Sequence, residues 1–581
     1  MVTAEFDLLV IGGGIFGACA AWDASQRGLS VALIEKGDFA SAASSKHFRV
    51  VHGGIRYLQH ADVTRLRESS RERSALLRIA PHLVSPLPIL VPTYGRSFRG
   101  KAVLRAGCLV YDALTIDRNR GTKDPDRRVP NSRSVSRNQA LEWFPELPRS
   151  GLTGGVVFCD GQIHNPARLA LAFVRSAVDT GRALAANYVA ARRFLREGPR
   201  VVGVEAEDVL EGGTFAIRGR MVLNAAGPWV PDLLKQGLDL DLGPRTPTFS
   251  RDLGLVTRRR LHDTVGLACP IQSSDAETLV DRGGRHLFLL PWRGLTVVGV
   301  WHKVHDGSPD QIPVRRRELE GYIQEANAAY PGLDLRRSDI SEVLSGLVLF
   351  GSREQGPGAH RFGKRSLLID HEKDHGAPGL ISLVGVRATM ARAMAERAVG
   401  LVLEKLDRPD PGCRSGELPV HGGDFGTFSE LLASLDRAVP ELSVDTRHAI
   451  AHNHGAEYGQ ILEHLRLDPT LSERVGDSTV LKAEIVHAVR KEMAVTLEDV
   501  ILRRTDMATG RQPAEEELAA CAAAMARELD WDNERRRSEI VRLRSMLYLP
   551  DSFETPQREL PPPPHGSEGI ASRTAADTKV R

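Results

Sequence analysis

Hydrophobic and polar positions follow two different periods along this chain, and the switches between them mark its elements. "FDLLVI" is an apolar run of strand length, "GGGIFGACAAWDASQRG" brings glycines and then helical spacing, and "LSVALIEK" is a second apolar run. Strand, glycine turn, helix, strand is a βαβ unit. The same flavour returns at "RLALAFVRSAVDTGRALAANYVAARRFLREG", read as helix then strand, and continues through "RVVGVEAED" to "GRMVLNAAGPWV". Valines alternating with charged residues around Val201 predict a hairpin there. Between Arg245 and Leu349 the strand-like runs "HLFLLPW" and "LTVVGVW" flank a turn-like "RG", which predicts a β-rich domain. "LISLVGVRATMARAMAERAVGLVLEKL" then returns to strand, turn and a long amphipathic helix ending near Leu406.

Beyond the Pro/Gly-rich "DRPDPGCRSGELPVHGGDFG" the pattern turns helical from Ser429 to about Leu549, and the final "PPPPHGSEGIASRTAADTKVR" reads as a disordered tail. A chain of 581 residues implies several domains. Its 42% hydrophobic and 26% charged residues suit a soluble globular protein. Net charge is +3, from 77 basic and 74 acidic residues, so no basic field recommends nucleic acid as a partner. Six scattered cysteines without a C-x-x-C pair argue against a zinc site or disulfide framework and point to a reducing, cytoplasmic setting. The opening "MVTAEFDLLVIGGG" does not read as a cleaved signal, and no uncharged apolar run reaches bilayer length, so any membrane association is expected to be peripheral.

Gly12-x-Gly14-x-x-Gly17, with Gly13 inside it, follows an apolar strand and opens a helix, the context in which this pattern carries meaning. Such glycines permit a tight turn, close approach of a pyrophosphate and close helix–strand packing, while the helix N-terminus favours negative charge. Glu35, followed by Lys36, ends the next strand, where a carboxylate can hold ribose hydroxyls. NAD and FAD share this fingerprint. Its place near the N-terminus, together with a second strand ending in "NAAGPW", favours a chain wrapped around one FAD.

The run "DLLVIGGGIFGACAAWDASQRGLSVALIEKGDFASAASSKHFRVVHGGIRYLQ" resembles the FAD-dependent glycerol-3-phosphate dehydrogenase family. So do "APHLVSPLPILVP", "YDALTIDRNRG", "VVGVEAEDVLEGGTFAIRGRMVLNAAGPWV", "LPWRGLTVVGV" and "AEIVHAVRKEMAVTLEDVILRRT", a likeness that extends to about Leu549. The resemblance implies an α/β fold: an FAD-binding Rossmann-type domain, an inserted antiparallel β-rich substrate domain and a C-terminal all-α domain. The FAD-dependent region is expected over 1–410, with FAD-binding segments at about 1–90, 150–240 and 350–410 and the substrate domain at about 245–349. A linker at 411–428, a helical domain at 429–549 and the tail at 550–581 complete the expected organisation.

The resemblance also implies site residues. Ser44, Ser45, Arg49, His52, Gly53 and Gly54 are expected along the flavin, with Val189, Ala226 and Gly227 from the second block. Gly385 is expected at a flavin-contacting turn, ahead of a helix whose positive end starts near Ala388. Arg56 and Tyr57 are expected to face the substrate, with Arg387 in place of a family lysine, since a guanidinium suits a phosphate or carboxylate. On the residues alone, a turn histidine hydrogen-bonded to the main chain is the favoured reading of His52, and a surface ion pair and a half-buried ring compete as readings of Arg56 and Tyr57.

Three departures from the family pattern bear on substrate. A family Gly-Val-Arg-Pro run is Gly346-Leu347-Val348-Leu349, so its arginine is Val348 here; "SRDLGLVTRR" lacks the family's histidine; and "GVWHKVHDG" stands where Gly-Thr-Thr-Asp is usual. His302 in that last stretch is a candidate acid/base imidazole, with a structural histidine as the alternative. Arg96, Arg99, Lys101 and Arg105 interleave with apolar residues, as in a surface-binding amphipathic helix or a solvated helix packed on its own domain. The expected reaction is oxidation of sn-glycerol 3-phosphate, or a related polyol phosphate, to the ketone, with hydride passing to flavin N5 and electrons to a quinone. The alternatives are another hydroxy acid, amine or polyol as substrate, or a non-catalytic flavin-binding protein. A cytoplasmic location, peripheral on the inner membrane face, follows from the same resemblance, and a homodimer stays open.

Overall fold

The computed structural model describes residues 5–95, 100–271, 285–352 and 365–547, and the predicted tail at 550–581 lies outside them. The expected α/β fold with a β-rich second layer and a C-terminal helical domain is present. Its first sheet runs in the order Leu367–Asp370, Leu380–Val384, Thr214–Asn224, Phe6–Ile11, Val31–Ile34, Ala183–Ala186. The inner pairings are parallel, and parallel strands require crossovers. Helices Ile15–Gln26, Pro166–Asp179 and Ala391–Lys405 supply a covering layer, with Cys19, Trp22, Phe173 and Val399 buried in one core against Leu8, Val10 and Leu33. Leu9, Ile11 and Ile34 lie in a second core on the opposite face, which is why the runs 8–11 and 31–34 are apolar at every position rather than at alternate ones. The hairpin predicted around Val201 is there: Val189–Glu197 turns back into Arg200–Asp208, which pairs antiparallel with the start of Thr214–Asn224.

The second sheet begins earlier in the chain than residue 245. It takes Val50–Val51, Val84–Tyr94, Arg133–Val135 and Leu152–Ile163 alongside Pro247–Thr257, Gly266–Ile271, Arg285–Trp292, Leu295–His305 and Ile340–Ser352. The "RG" between the two predicted strands closes a tight hairpin, with Trp292 opposite Leu295 and both Arg293 (φ 55°) and Gly294 (φ 76°) left-handed. Such turns match the twist of the strands they join. One face is covered by helix Arg316–Ala329, where Trp301 stacks on Tyr322 at 4.7 Å and donates to Glu325 at 2.8 Å. The other face turns toward the first sheet.

The helices from Phe428–Ala438 to Asn533–Leu547 have apolar cores of their own. Buried charges join them to the rest of the chain. Arg168 donates from one nitrogen to both carboxylate oxygens of Glu492 at 2.7 Å, and Arg503 and Arg504 both bind Asp38. Residues 411–428 carry no helix or strand up to Thr427 but are tied down, with the Val420 N–H donating to the Ile79 carbonyl at 2.9 Å.

Candidate cofactor and substrate site

Gly12 holds φ at 105°, and a Cβ there would sit 2.7 Å from the Ala225 carbonyl oxygen. A Cβ on Gly17 would run into the Gly12 carbonyl oxygen, so strand, turn and helix meet with no room for side chains. Gly14 is the helix N-cap and has no side chain to cap with; Ser44 takes over from a distant loop, its Oγ accepting the Ile15 N–H at 3.0 Å. Glu35 accepts the Gly13 N–H at 2.7 Å and the Gly37 N–H at 2.9 Å. Burial pushes its carboxyl above the ordinary value despite those two bonds. Val189 supports the same residue from behind, donating its N–H to the Glu35 carbonyl at 2.8 Å. Lys36 turns outward, pairing with Asp310 at 2.9 Å and lying 4.0 Å over the Trp229 ring. Ala226 donates its N–H to Asn224 Oδ1 at 3.3 Å, and Gly227 follows with φ 56°.

The main chain of "HGG" is clamped from three elements. The His52 N–H donates to Thr389 Oγ1 at 3.0 Å, the Gly53 N–H to Asp160 Oδ1 at 2.6 Å, and Tyr111 donates to the Gly53 carbonyl at 3.0 Å. Arg73, fully buried, braces this clamp through the Cys159 carbonyl at 2.6 Å, Tyr111 at 3.1 Å and Asp160 at 3.6 Å. A Cβ on Gly53 would overlap both Arg73 and Tyr111. Gly54 turns the chain into the short helix Ile55–His60 with φ 84°. Ser45 donates to the Ala42 carbonyl at 3.2 Å. The buried Arg49 side chain points to the second sheet, where it meets Glu342 at 2.6 Å and lies 3.8 Å over Trp292.

Arg56 is exposed on that short helix, and the neighbouring Tyr57 hydroxyl accepts from the Arg387 guanidinium. Arg65 also lies over the Tyr57 ring, at 5.0 Å. Arg387 caps the turn Ala388–Met390 that leads into helix Ala391–Lys405, and Gly385 packs so closely on the Phe16 ring that a Cβ would overlap it. Segments more than 300 residues apart thus bring Tyr57, His52, Arg387 and Thr389 together.

The second sheet closes the other side. Gly346 would place a Cβ 3.2 Å from Ala43, and Gly254 and Gly299 would place theirs 3.3 and 3.1 Å from the Phe48 ring, so this face of the sheet looks onto the Ser41–Phe48 segment. A cavity of about 180 Å³ opens there, among Lys46, Trp229, Ile312, Ser345 and Gly346. Asp252 is the cross-strand partner of both Gly346 and His302, and the His302 Nδ1 is 2.6 Å from Asp252 Oδ1. Val348 stands opposite Ser250 on the same strands.

The family described as FAD dependent oxidoreductase matches residues 7–400, and the C-terminal domain of alpha-glycerophosphate oxidase matches residues 413–536. A glycerol-3-phosphate dehydrogenase of Synechocystis sp. is 34% identical over 87% of this chain and 89% of its own. This chain belongs to the FAD-dependent glycerol-3-phosphate dehydrogenase family. A mitochondrial glycerol-3-phosphate dehydrogenase of Homo sapiens is 30% identical over 96% of this chain and 75% of its own. The solved glycerol-3-phosphate dehydrogenase of Bacillus halodurans, complexed with FAD, superimposes with a TM-score of 0.73 at 26% identity, covering 94% of this chain and 95% of that one.

FAD is the cofactor of this family member, and the residues present suit it: a glycine turn at a helix N-terminus, a buried carboxylate at Glu35, and two polar atoms with no partner among the described residues, Asn224 Nδ2 and Ser345 Oγ. Sequence reasoning missed Asp160, Tyr111, Arg73 and Thr389, which hold the "HGG" main chain from remote elements, and Asp252 beside His302. "CLVYDAL" and "FCDGQI" carry no local signal that their tyrosine and aspartate reach Gly53.

Proposed function

We propose that this chain oxidises the secondary alcohol of sn-glycerol 3-phosphate to the ketone, dihydroxyacetone phosphate, and passes the electrons to a quinone. The observation that carries this reading is the meeting of Arg387 with Tyr57 beside Arg56, a basic edge at the end of the clamped "HGG" main chain. The names of the relatives that span nearly the whole chain point the same way. FAD, when bound, supplies a hydride acceptor at flavin N5. Gly12, Gly13, Gly14 and Gly17 with Glu35 would hold its dinucleotide part, and Ser44, His52, Gly53 and Gly54 the flavin side. Arg56 and Arg387 hold the substrate anion, where a fixed guanidinium gives a charge-assisted bond, and the Tyr57 hydroxyl orients Arg387. With Val348 where the family has an arginine, Arg56 and Arg387 act without that third guanidinium, which also favours a second reading in which the substrate is a different polyol phosphate.

Peripheral membrane contact belongs to the same proposal. Helix Lys101–Leu114 exposes Val103, Leu109 and Val110 at 48%, 50% and 50%, with Ile116 beyond it at 84%. Lys101 and Arg105 of the predicted basic cluster are engaged with Val135 and Ser132, while Arg96 and Arg99 lie outside the described residues. No helix among the described residues is long and apolar enough to cross a membrane. The deciding experiment is anaerobic stopped-flow bleaching of the flavin against a panel of alcohols. Fast reduction by glycerol 3-phosphate is expected; no reduction by it alongside fast reduction by another compound would overturn the substrate assignment, and no reduction by any donor would favour a non-catalytic protein.

A further inference from the structure

Three groups on adjacent strands of the second sheet form a hydrogen-bonded set that no step above uses. The Ser250 hydroxyl donates to Asp252 Oδ1 at 2.9 Å, and His302 Nδ1 lies 2.6 Å from the same oxygen. Asp252 and His302 are directly opposite in the antiparallel register of Pro247–Thr257 with Leu295–His305, so their side chains share a face. Which face follows from the strand period of two. Gly254, two residues from Asp252, meets the Phe48 ring, and Gly346, the other cross-strand partner of Asp252, meets Ala43 and lines the cavity. Trp301, the neighbour of His302, points the opposite way into the Tyr322 and Glu325 side chains. The pair therefore faces the Ser41–Phe48 segment, whose Ser44 caps the dinucleotide helix, and not the core behind the sheet.

Both side chains keep 23% exposure, enough to meet a small molecule and too little to be freely solvated. The carboxylate can only accept, so the short contact makes His302 Nδ1 the donor and fixes the tautomer. The lone pair of the neutral ring then sits on Nε2, and the adjacent carboxylate stabilises the imidazolium that forms when Nε2 takes a proton.

We propose that His302 is the base of this enzyme and that Asp252 is its positioning residue. The inference rests on the alcohol-oxidation reading above. Oxidation of a secondary alcohol to a ketone releases one hydride, which FAD when bound would accept, and one proton. The substrate O–H bond breaks toward His302 Nε2 as the carbinol C–H bond is lost and the C=O bond forms, leaving a protonated imidazole paired with the Asp252 carboxylate. Ser250 holds the carboxylate in place, and its loss should be felt least.

The test uses the full-length holoenzyme and the variants H302Q, D252N, D252E and S250A, each checked for FAD content and near-UV dichroism. Positioned acid–base groups contribute roughly 10²- to 10⁴-fold. The rate of flavin bleaching at saturating substrate is expected to fall by about that range in H302Q and by about 10-fold or more in D252N, with the substrate Kd from the flavin spectrum nearly constant and partial recovery in D252E. A second readout needs no turnover: in histidine-labelled protein the short Nδ1–H bond predicts a far-downfield ring proton, lost in both D252N and H302Q. Unchanged bleaching in H302Q would overturn the base assignment. A downfield proton that persists in D252N would overturn the positioning role. The parent's behaviour across the alcohol panel reports on the substrate reading by itself, and the same variant ratios are expected with whichever alcohol bleaches the parent.

Discussion

Replacing Asp38 with Asn tests how far the C-terminal helices hold the cofactor turn. Asp38 lies three residues after Glu35, has no exposed side-chain surface, and accepts from Arg503 Nε at 2.5 Å, from Arg504 at 2.7 Å twice, and from Asn187 at 2.9 Å. Burial alone would raise its pKa, but Arg504 and Arg503 outweigh that and bring it from 3.8 down to about 2. A difference of that size corresponds to about 2 kcal/mol of stabilisation by the ionised form. Breaking a buried pair costs more than its linkage value, about 3–5 kcal/mol, because the stranded partner stays buried. Arg503 retains Glu498 and Asp499 and Arg504 retains the Glu492 carbonyl, which sets the expected cost of D38N at about 3 kcal/mol rather than the top of that range. The assay is urea unfolding followed by release of FAD fluorescence and by proteolysis of residues 411–428. D38N should lose FAD and expose that segment at clearly lower urea than the parent. Because the folded pKa is depressed, the stabilisation is present above 3.8 and fades as pH falls through about 2, so the deficit of D38N should be constant near neutrality and shrink in that acid window. Coincident parent and D38N curves at neutral pH would refute the reasoning.

Glu484 titrates in the opposite sense: burial, reinforced by Asp506 and Glu492, pushes it from 4.5 up to about 8 even though the Leu481 N–H and Arg168 oppose the shift. Its contribution is full below 4.5 and lost as pH rises through about 8, so E484Q should flatten the decline of the urea midpoint over that window, by at most about 5 kcal/mol; parallel parent and variant profiles would contradict this. Arg56→Ala should raise the glycerol 3-phosphate requirement strongly while leaving FAD content nearly unchanged, and loss of FAD without loss of substrate affinity would move Arg56 into the cofactor shell. Gly53→Ala places a methyl against Arg73 and Tyr111 and should cost about 3 kcal/mol or more with loss of FAD, whereas Tyr111→Phe, which removes the hydrogen bond to the Gly53 carbonyl and the one accepted from Arg73, should cost about 2 kcal/mol; equal effects of the two would show that the clamp, not the space, is limiting.

The cofactor turn was legible because its parts are local. Gly12, Gly14, Gly17 and Glu35 fall within one βαβ unit, and the contacts that define it, Gly13 to Glu35 and Gly17 against Gly12, span few residues. The clamp on "HGG" was not, since its donors and acceptors come from Tyr111, Asp160 and Thr389, between 58 and 337 residues away. Lys36 and Arg49 show the reverse limit: their positions beside the motif are local, but where a long side chain turns depends on Asp310 and Glu342, which the motif does not contain.

The amino-acid sequence by itself determined the βαβ unit, the FAD fingerprint, the tight turn at Arg293–Gly294 and the family, because each is written in short-range spacing or in likeness along the whole chain. Tertiary structure alone decided that Asp252 faces His302 across two strands, that Arg387 reaches Tyr57, and that Arg503 and Arg504 close on Asp38. Those pairings depend on strand register and domain docking, and a slip of one residue in the register would turn Asp252 or His302 to the opposite face of the sheet. That is why His302 could be named from the sequence as a candidate acid/base imidazole, while its partner Asp252 became visible only once the strands were paired.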